Sequence, residues 1–377
     1  MINGVPQLED LGEVSGKAVL VRCDFNVPIR DGAITDDLRV RAALPTLAWL
    51  QERGATVTAC THLGRPKGAP DPEYSVEPVR RLLAELAPGV ELLDNLRFSP
   101  GETGNDPAFV AELVAGQDLY VNDAFGASHR SHASIVGPPE TLPSAAGRLL
   151  EREVEVLLGL RDEPRRPFVA ILGGAKVSDK LGVIRALLEV VDGLIVGGGM
   201  CFTFLAAQGH RVGASLLEEE QIDTCRDLLS GGATIHLPHD ITGLGPGGKI
   251  GDPGAGGEVR QFGTDLPDGW MGLDIGPGTA AAFTDVISEA RQVLWNGPMG
   301  VFEDRRFVAG TRTVAEAVAD CPGLTVVGGG DSAAAVAQFD LADRIDHIST
   351  GGGASLELIE QGDLPGLAAL RHAPNAR

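Results

Sequence analysis

The feature that most constrains the fold is a regular alternation between short apolar runs and longer stretches of helical periodicity. Short runs that are apolar on both faces are typical of parallel strands covered by helices on each side. The sequence therefore predicts an α/β fold. The predicted strands are Ala18–Cys23, Thr56–Cys60, Leu119–Val121, Phe168–Leu172, Gly193–Val196, Thr234–Leu237, Val293–Trp295, Leu324–Val327 and Ile345–Ile348.

The length of 377 residues exceeds what one hydrophobic core usually supports, so we expect two domains. A helical pattern over Ala145–Arg161 falls between the two groups of strands. We expect two doubly wound (Rossmann-like) domains with parallel sheets, joined by this bridging helix. The predicted boundaries are 1–150 for the first domain, 151–165 for the interdomain helix and 166–354 for the second domain, with about 355–377 packing back on the first.

The charge and the cysteines exclude several classes of protein. A formal net charge of −21 argues against binding to nucleic acid or anionic membranes, which requires a basic surface. Five widely spaced cysteines without a CxxC pair favour reduced thiols over disulfides or a zinc site. No signal peptide is recognisable, and no apolar run approaches the ~18–20 residues of a membrane span. We expect a cytoplasmic monomer.

Predicted strands of the second half end in glycines, in the segments Leu172–Lys176, Val196–Gly199, Val327–Asp331 and Thr350–Gly353. Such turns gather at the carboxyl edge of a parallel sheet, where ligands bind. Glycine lets the backbone approach a ligand, and the N–H groups that open the next helix attract phosphate. Together with Lys176, Lys180 and Asp331, these turns predict a nucleotide site.

The segment Gly243–Lys249 is close to a P-loop, but Ile250 occupies the position where Ser or Thr would hold magnesium. Gly251, Asp252 and Pro253 follow it, so we expect no helix to begin there and face a phosphate. We therefore predict that residues 244–257 form an exposed surface loop.

The first half places cations beyond its strands, in the segments Val21–Pro28, His62–Gly68, Asn95–Phe98 and Asn122–His132, with Arg39 opening a helix. Any one of these side chains could be a solvated surface charge. Several at comparable strand ends predict a clamp for a small phosphorylated carboxylate, because the planar guanidinium binds such oxygens in bidentate fashion.

These segments resemble, in the same order, the motifs of phosphoglycerate kinases. The matching stretches are VRCDFNVP, HLGRPKG, NLRF, VNDAFG with HR, ILGGAKVSDK, GGGM-FTFL, WNGPMGVFE, GGGDSAA and HISTGGGASLEL. They run from about residue 20 to residue 358, nearly the whole chain. The resemblance implies reversible phosphoryl transfer between ATP and 3-phosphoglycerate, giving ADP and 1,3-bisphosphoglycerate in glycolysis and gluconeogenesis, with Mg²⁺ accompanying ATP or ADP.

The resemblance also implies roles for individual residues. In the first domain the implied substrate-binding residues are Asp24, Phe25, Asn26, Arg39, His62, Arg65, Arg97 and Arg130. In the second domain the implied nucleotide-binding residues are Lys180, Gly198, Leu273, Asn296, Pro298, Glu303, Gly329, Gly330, Asp331 and Ser332, with Asp331 also holding magnesium.

The implied mechanism is in-line transfer without a protein nucleophile. We expect Arg39, Lys176 and the helix N-terminus at Gly330 to neutralise the transferred group. Because the half-sites lie on different domains, hinge closure would assemble them and exclude water. The bridging helix and Ser349–Gly353 are the expected hinges.

The sequence departs from the family after the helix that ends near Ala87, where one βα unit is expected to be missing from the first sheet. Asp94 also stands where the family more often has Glu. Two other functions remain as alternatives. One is a non-catalytic paralogue that binds nucleotide or a protein partner. The other is a dinucleotide-dependent oxidoreductase, although no G-x-G-x-x-G opens the first βα unit.

Overall fold

The computed structural model describes residues 4–374. Residues 1–3 of the predicted first domain, and residues 375–377 of the segment predicted to pack on it, lie outside the described residues. The chain forms two compact units. Unit 1 contains the residues up to Leu158 together with those from Gly353 onward, and unit 2 contains Gly159–Gly352.

Unit 1 is built on a parallel sheet. Its strands are β1 (Ala18–Cys23), β2 (Ile29–Arg30), β3 (Ala33–Ile34), β4 (Thr56–Cys60), β5 (Glu91–Leu92), β6 (Leu119–Asp123) and β7 (Ser144–Ala146). The sheet has the order β5-β4-β1-β6-β7, while β2 and β3 form an antiparallel hairpin. In register, Val21 of the central strand β1 lies opposite Ala59 of β4 and Val121 of β6. The residues that follow Cys23 therefore emerge in the middle of the carboxyl edge.

The helices of this part of the chain are α1 (Leu38–Glu52), α2 (Glu77–Leu86), α3 (Pro100–Gly104), α4 (Pro107–Val114), α5 (Ala133–Val136) and α6 (Arg148–Asp162), the last of which continues into unit 2. Leu47 and Leu50 of α1 are fully buried with Val19 and Val21 of β1 in one hydrophobic cluster. Each such side chain contributes about 1.5–3 kcal/mol by burial, which fixes α1 against the sheet.

The bridging helix begins later than its periodicity predicts. Residues 144–146 form strand β7, which pairs with β6, and α6 starts only at Arg148. The backbone N–H groups of Leu149 and Leu150 donate to Oδ1 of Asp123, at 2.9 and 3.3 Å. This cap comes from a residue distant in the sequence, so the local pattern could not locate the helix start.

Unit 2 contains a larger parallel sheet. Its strands are β8 (Phe168–Leu172), β9 (Gly193–Val196), β10 (Ile235–His236), β11 (Ile241–Leu244), β12 (Val259–Phe262), β13 (Met271–Ile275), β14 (Gln292–Asn296), β15 (Leu324–Gly328) and β16 (His347–Ile348). The parallel sheet has the order β10-β9-β8-β14-β15-β16. A separate antiparallel sheet, β12-β11-β13, was not predicted from the sequence.

The helices of unit 2 are α7 (Leu181–Leu188), α8 (Cys201–Ala207), α9 (Ile222–Ser230), α10 (Pro277–Ser288), α11 (Ala309–Asp320) and α12 (Gly330–Gln338). The chain then forms α13 (Gly353–Gln361) and α14 (Pro365–Arg371), both in unit 1. The N–H of Gly366 in α14 donates to the Ser128 carbonyl oxygen at 2.9 Å. None of the helices in the described part of the chain has the length and hydrophobicity that crossing a membrane requires.

Candidate active site

Turns that follow β8, β9 and β14 bring three stretches of backbone together at the carboxyl edge of the sheet in unit 2. Gly198 has a φ of +64°, and a Cβ there would lie 2.6 Å from the Gly174 nitrogen. A Cβ on Gly173 would overlap the Pro298 carbonyl oxygen. Only glycine permits this approach, which explains the glycine-ended strands in the sequence.

A cavity of about 350 Å³ lies beside these turns. Of the predicted nucleotide-binding residues, it is lined by Gly198, Leu273, Pro298, Glu303 and Asp331. Its walls are mainly apolar, with a few polar groups at the rim, as is typical of small-molecule sites. The cavity therefore suits a flat, weakly polar group such as a nucleobase.

Sequence reasoning missed most of the apolar lining, namely Phe202, Ile241, Ile250, Met271 and Met299. Ile250 comes from the segment that resembles a P-loop. The neighbouring Gly251 N–H donates to Asp304 at 2.9 Å, and Arg306 donates to the Lys249 carbonyl oxygen at 2.6 Å. The prediction of a surface loop was therefore incomplete, because these long-range hydrogen bonds hold it against the cavity.

The N-terminus of a helix adjoins the same cavity. Gly329, with a φ of +90°, precedes helix α12, and Asp331 in the first turn of that helix lines the cavity. A Cβ on Gly330 would meet no atom within 4 Å, so space is open beside the helix N-terminus. The partial positive charge there favours an anion.

Lys180 lies close to these turns and is largely buried. Its Nζ donates to the carbonyl oxygens of Gly173 and Asn296, at 2.8 and 3.0 Å, and to Asn296 Oδ1 at 2.7 Å. Burial lowers the pKa of Lys180 to about 8, although Asp331 acts in the opposite direction. Asn296 therefore holds the lysine and is not among the residues that line the cavity. Lys176, by contrast, is exposed.

The Ser332 hydroxyl takes part in a hydrogen bond within the protein. The side chain is fully buried, and its Oγ accepts a hydrogen bond from the Gly297 N–H at 2.6 Å. The hydroxyl therefore supports the turn after β14.

The carboxylates of unit 2 do not form a metal cage by themselves. Among the residues that the structure describes, no group of three or more His, Cys, Asp or Glu side chains could hold a metal ion. Asp331 is a carboxylate in the first turn of α12 that lines the cavity. One carboxylate together with nucleotide phosphates and water is a usual arrangement for Mg²⁺, so Asp331 fits a metal that arrives with the nucleotide.

The predicted cationic site of unit 1 forms around the end of β1. Arg39 Nη1 donates to the Asn26 carbonyl oxygen at 3.0 Å and lies 3.5 Å from Asp24 Oδ2. Asn26 Oδ1 accepts from the Gly64 N–H at 2.8 Å, which links this loop to the turn after β4. Asp24 is nearly buried and the Arg39 side chain is one-third exposed.

Like charges crowd the other side of this site. Arg97 donates to the Gly64 carbonyl oxygen at 2.6 Å, and its pKa is lowered to about 10, first by burial and then by Arg130 and other nearby arginines, which include Arg65. Burial, with the charges of Arg97 and Arg130 among the further causes, also lowers the pKa of His62. These positive side chains repel one another, and a multiply charged anion that bound among them would relieve the repulsion.

Phe25 is the one implied substrate residue whose side chain belongs to the core. It is fully buried in the hydrophobic cluster of unit 1. Its backbone N–H donates to Thr61 Oγ1 at 2.9 Å. Phe25 therefore anchors the loop between Asp24 and Asn26, and its phenyl ring is not available to a substrate.

Sequence reasoning missed Arg22 and Glu102, two fully buried charged residues behind His62. Burial raises the pKa of Glu102, but His132, Arg22 and Ser134 lower it to about 2, so the carboxylate stays charged. The signal was available, because Arg22 is the single charged residue in the apolar run of β1.

Comparisons with known proteins decide the family. The family model described as "Phosphoglycerate kinase" matches residues 8–91 and 87–362. The chain belongs to the phosphoglycerate kinase family. The phosphoglycerate kinase of Rubrobacter xylanophilus is 54% identical over 95% of this chain and 96% of its own length. That of Moorella thermoacetica is 50% identical over 96% and 98%. The solved phosphoglycerate kinase from Coxiella burnetii has a TM-score of 0.86 at 35% identity, covering 97% and 98%, and that from Pyrococcus horikoshii has 0.83 at 31%, also covering 97% and 98%.

The family settles the reaction. The enzyme is a glycolytic kinase, a transferase whose acceptor is a carboxyl group, and it acts on 3-phosphoglycerate and ATP. The oxidoreductase alternative is therefore wrong. The two matched segments overlap at residues 87–91, where the sequence predicts a missing βα unit. A short strand, β5, does follow α2 and pairs with β4 at the edge of the sheet. That the family's extra unit is absent stays a prediction.

Proposed function

We propose that unit 1 of this phosphoglycerate kinase binds 3-phosphoglycerate and that unit 2 binds ATP or ADP. The observation that supports this proposal is the contrast between the two sites. The unit 1 site surrounds Asp24 and Asn26 with guanidinium groups, whereas the unit 2 cavity is apolar and ends at the N-terminus of α12. A small dianion with a carboxylate fits the first, and a nucleotide fits the second.

Charge neutralisation is the chemistry that these groups offer. Transfer between a carboxylate oxygen and a nucleotide needs in-line alignment and stabilisation of the phosphoryl oxygens, and no protein nucleophile. Arg39, placed at the carboxyl edge of unit 1, and Lys176, exposed in the turn after β8, are proposed to contact the transferred group. The N–H of Gly330 at the start of α12 is proposed to share that charge.

Magnesium is proposed to bind with the nucleotide and to be held by Asp331. Bound there, the ion would screen the phosphate oxygens. Activity should disappear when the metal is chelated and return when MgCl₂ is added. Activity that persists in excess chelator would contradict this assignment.

We also propose that the two half-sites come together during turnover through changes in α6 and residues 349–353. Closure would exclude water that could hydrolyse the acyl phosphate. The segment after β16 is short, and Gly352 has a φ of +45°. A Cβ added to Gly352 would meet no atom within 4 Å, so no neighbouring group packs against this position.

A matched pair of arginines on α1 tests the catalytic assignment. Arg39→Ala should lower kcat by about 10²–10³-fold, the usual effect of losing one group that stabilises transition-state charge. The nucleotide Kd should change little, because Arg39 lies in unit 1. Arg41, on the same helix, is exposed and paired with Asp37 at 2.8 Å, so Arg41→Ala should leave both parameters unchanged. Near-normal turnover of Arg39→Ala would refute the role.

A coupled assay of ADP formation from ATP and 3-phosphoglycerate separates the enzyme from a non-catalytic, nucleotide-binding protein, which would give no turnover. We propose that the enzyme works in the reducing cytoplasm, since all five cysteines are free thiols and four of them are buried. We also propose that it works as a monomer. Sedimentation equilibrium should give the mass of one chain, 39.2 kDa.

A further inference from the structure

Arg22 lies behind the 3-phosphoglycerate site without reaching it. It is fully buried in β1, and its hydrogen bonds go to three different groups. Nε donates to Ser134 Oγ at 2.8 Å, Nη1 donates to the Cys23 carbonyl oxygen, and Nη2 lies 3.1 Å from Nδ1 of His62. These bonds, together with burial, leave the guanidinium no freedom to turn away from His62.

The contact with His62 has only one consistent assignment of protons. A guanidinium carries only donors, so it cannot accept a hydrogen bond from an imidazole N–H. Nδ1 of His62 must then be the acceptor and carry no proton. The single proton of the neutral ring is therefore on Nε2.

We propose that Arg22 is a positioning residue that fixes His62 as the neutral tautomer with its proton on Nε2. His62 then presents one N–H donor to the substrate and adds no charge of its own. This second step rests on the proposed role of His62 in binding 3-phosphoglycerate, whereas the tautomer does not.

Glu102 offsets the free-energy cost of burying the Arg22 charge. Its Oε1 lies 3.8 Å from Arg22 Nη2 and accepts from Ser134 Oγ at 2.7 Å, and its Oε2 accepts from the Ser134 N–H at 3.0 Å. Ser134 thus bridges the two charges, and both are held in one orientation. A buried charge with its partners in place is stable, whereas one without them is strongly destabilising.

The other charges around His62 oppose its protonation. Arg22, Arg97 and Arg130 all disfavour a positive imidazole, and burial acts in the same direction. The carboxylates are less well placed, since Asp24 Oδ1 is 4.0 Å from Nδ1 and Glu102 lies behind Arg22. The Arg22 contact at 3.1 Å is the shorter one and decides the tautomer.

Nitrogen-15 NMR of the full-length, ligand-free enzyme tests the tautomer directly. His62 should show an unprotonated Nδ1 and a protonated Nε2, unchanged from pH 8 to pH 5.5. His129 provides an internal control, because its Nε2 accepts from Arg130 Nε at 3.1 Å and it should show the opposite tautomer. A protonated Nδ1 on His62, or a ring that titrates within this range, would overturn the proposal.

A pair of substitutions at Arg22 separates positioning from a general structural role. Arg22→Lys keeps a cationic group that can only donate, so the Nε2–H tautomer should be retained. Arg22→Gln can accept as well as donate, so it no longer excludes a proton on Nδ1, and His62 should then also populate the Nδ1–H tautomer. The KM for 3-phosphoglycerate should be about fivefold higher in Arg22→Gln than in Arg22→Lys, because a ring without a proton on Nε2 cannot donate to the substrate.

The outcomes distinguish the two assumptions. Loss of the Nε2–H pattern in Arg22→Gln without any change in KM would support Arg22 as the residue that sets the tautomer and would contradict a role of His62 in substrate binding. An unchanged His62 spectrum in Arg22→Gln would show that Arg22 does not set the tautomer. If Arg22→Gln does not fold, the wild-type spectra and Arg22→Lys decide the question.

Discussion

Asp123, a single carboxylate at the end of β6, influences both the start of α6 and the response of the fold to pH. It is fully buried, and its Oδ1 accepts the N–H groups of Leu149 and Leu150. Burial raises the pKa of Asp123 to about 7 despite these hydrogen bonds. Desolvation therefore outweighs the stabilisation of the charged form.

The sign of the pH dependence follows. In the unfolded chain the carboxyl has its ordinary pKa of 3.8, so between pH 4 and 7 the folded state binds more protons. The contribution of the Asp123 carboxyl to the free energy of unfolding therefore falls as the pH rises through this window. Asp123→Asn keeps an oxygen for the helix cap and does not titrate. The free energy of unfolding of the variant, relative to the wild type, should therefore increase by about 2–3 kcal/mol from pH 5 to pH 8.

Urea unfolding at several pH values provides the measurement. Asp36→Asn is a suitable control, because Asp36 is exposed and also accepts a backbone hydrogen bond, from Leu38 at 2.9 Å. Its stability difference from the wild type should not change with pH. Parallel curves for Asp123→Asn and the wild type would show that the buried carboxyl does not titrate in this window.

The residues that surround the two sites were predictable to different degrees. Asp24, Asn26 and Arg39 do gather, because they follow a central parallel strand, and strand ends converge at one edge. The core position of Phe25 was not predictable, since polar neighbours on both sides gave no sign of which way its ring points.

At the scale of elements, parallel strands were predicted best. The bounds of β1, β4, β8 and β9 agree with the predicted strands, because most of their residues are buried and such runs stand out in the sequence. The antiparallel sheet β12-β11-β13 was missed for the opposite reason. Three of the four residues of β12 are exposed, and β11 is interrupted by Gly243, so neither has a recognisable pattern. Their pairing depends on residues far apart in the sequence.

At the scale of the whole molecule, the sequence predicts two domains from its length and its two groups of strands, but it does not predict the order of the strands. Strand β14 lies between β8 and β15, which requires β8 and β14 to pair across more than 100 intervening residues. Hydrophobic periodicity reports burial and carries no information about which buried strand is the neighbour. The glycine turns indicate the carboxyl edge, and only the tertiary structure gives their order along it.

Unit 1 combines residues from both sides of unit 2 in the sequence, which predicts that α14 stabilises unit 1 selectively. Leu367 of α14 is fully buried, and the adjacent Gly366 is hydrogen-bonded to Ser128. Leu367→Ala should destabilise unit 1 by about 2–5 kcal/mol through the cavity that it leaves. Leu187→Ala, in helix α7, provides a matched substitution in unit 2, since Leu187 is 1% exposed.

Hydrogen exchange measured by mass spectrometry on the full chain can separate the two effects, because exchange reports local as well as global opening. Leu367→Ala should accelerate exchange in β1 and leave the exchange rate of β8 unchanged. Leu187→Ala should accelerate exchange in β8 and leave that of β1 unchanged. Equal acceleration of both strands by either substitution would mean that the units open together, and the residues from Gly353 onward would then stabilise the molecule as one cooperative body.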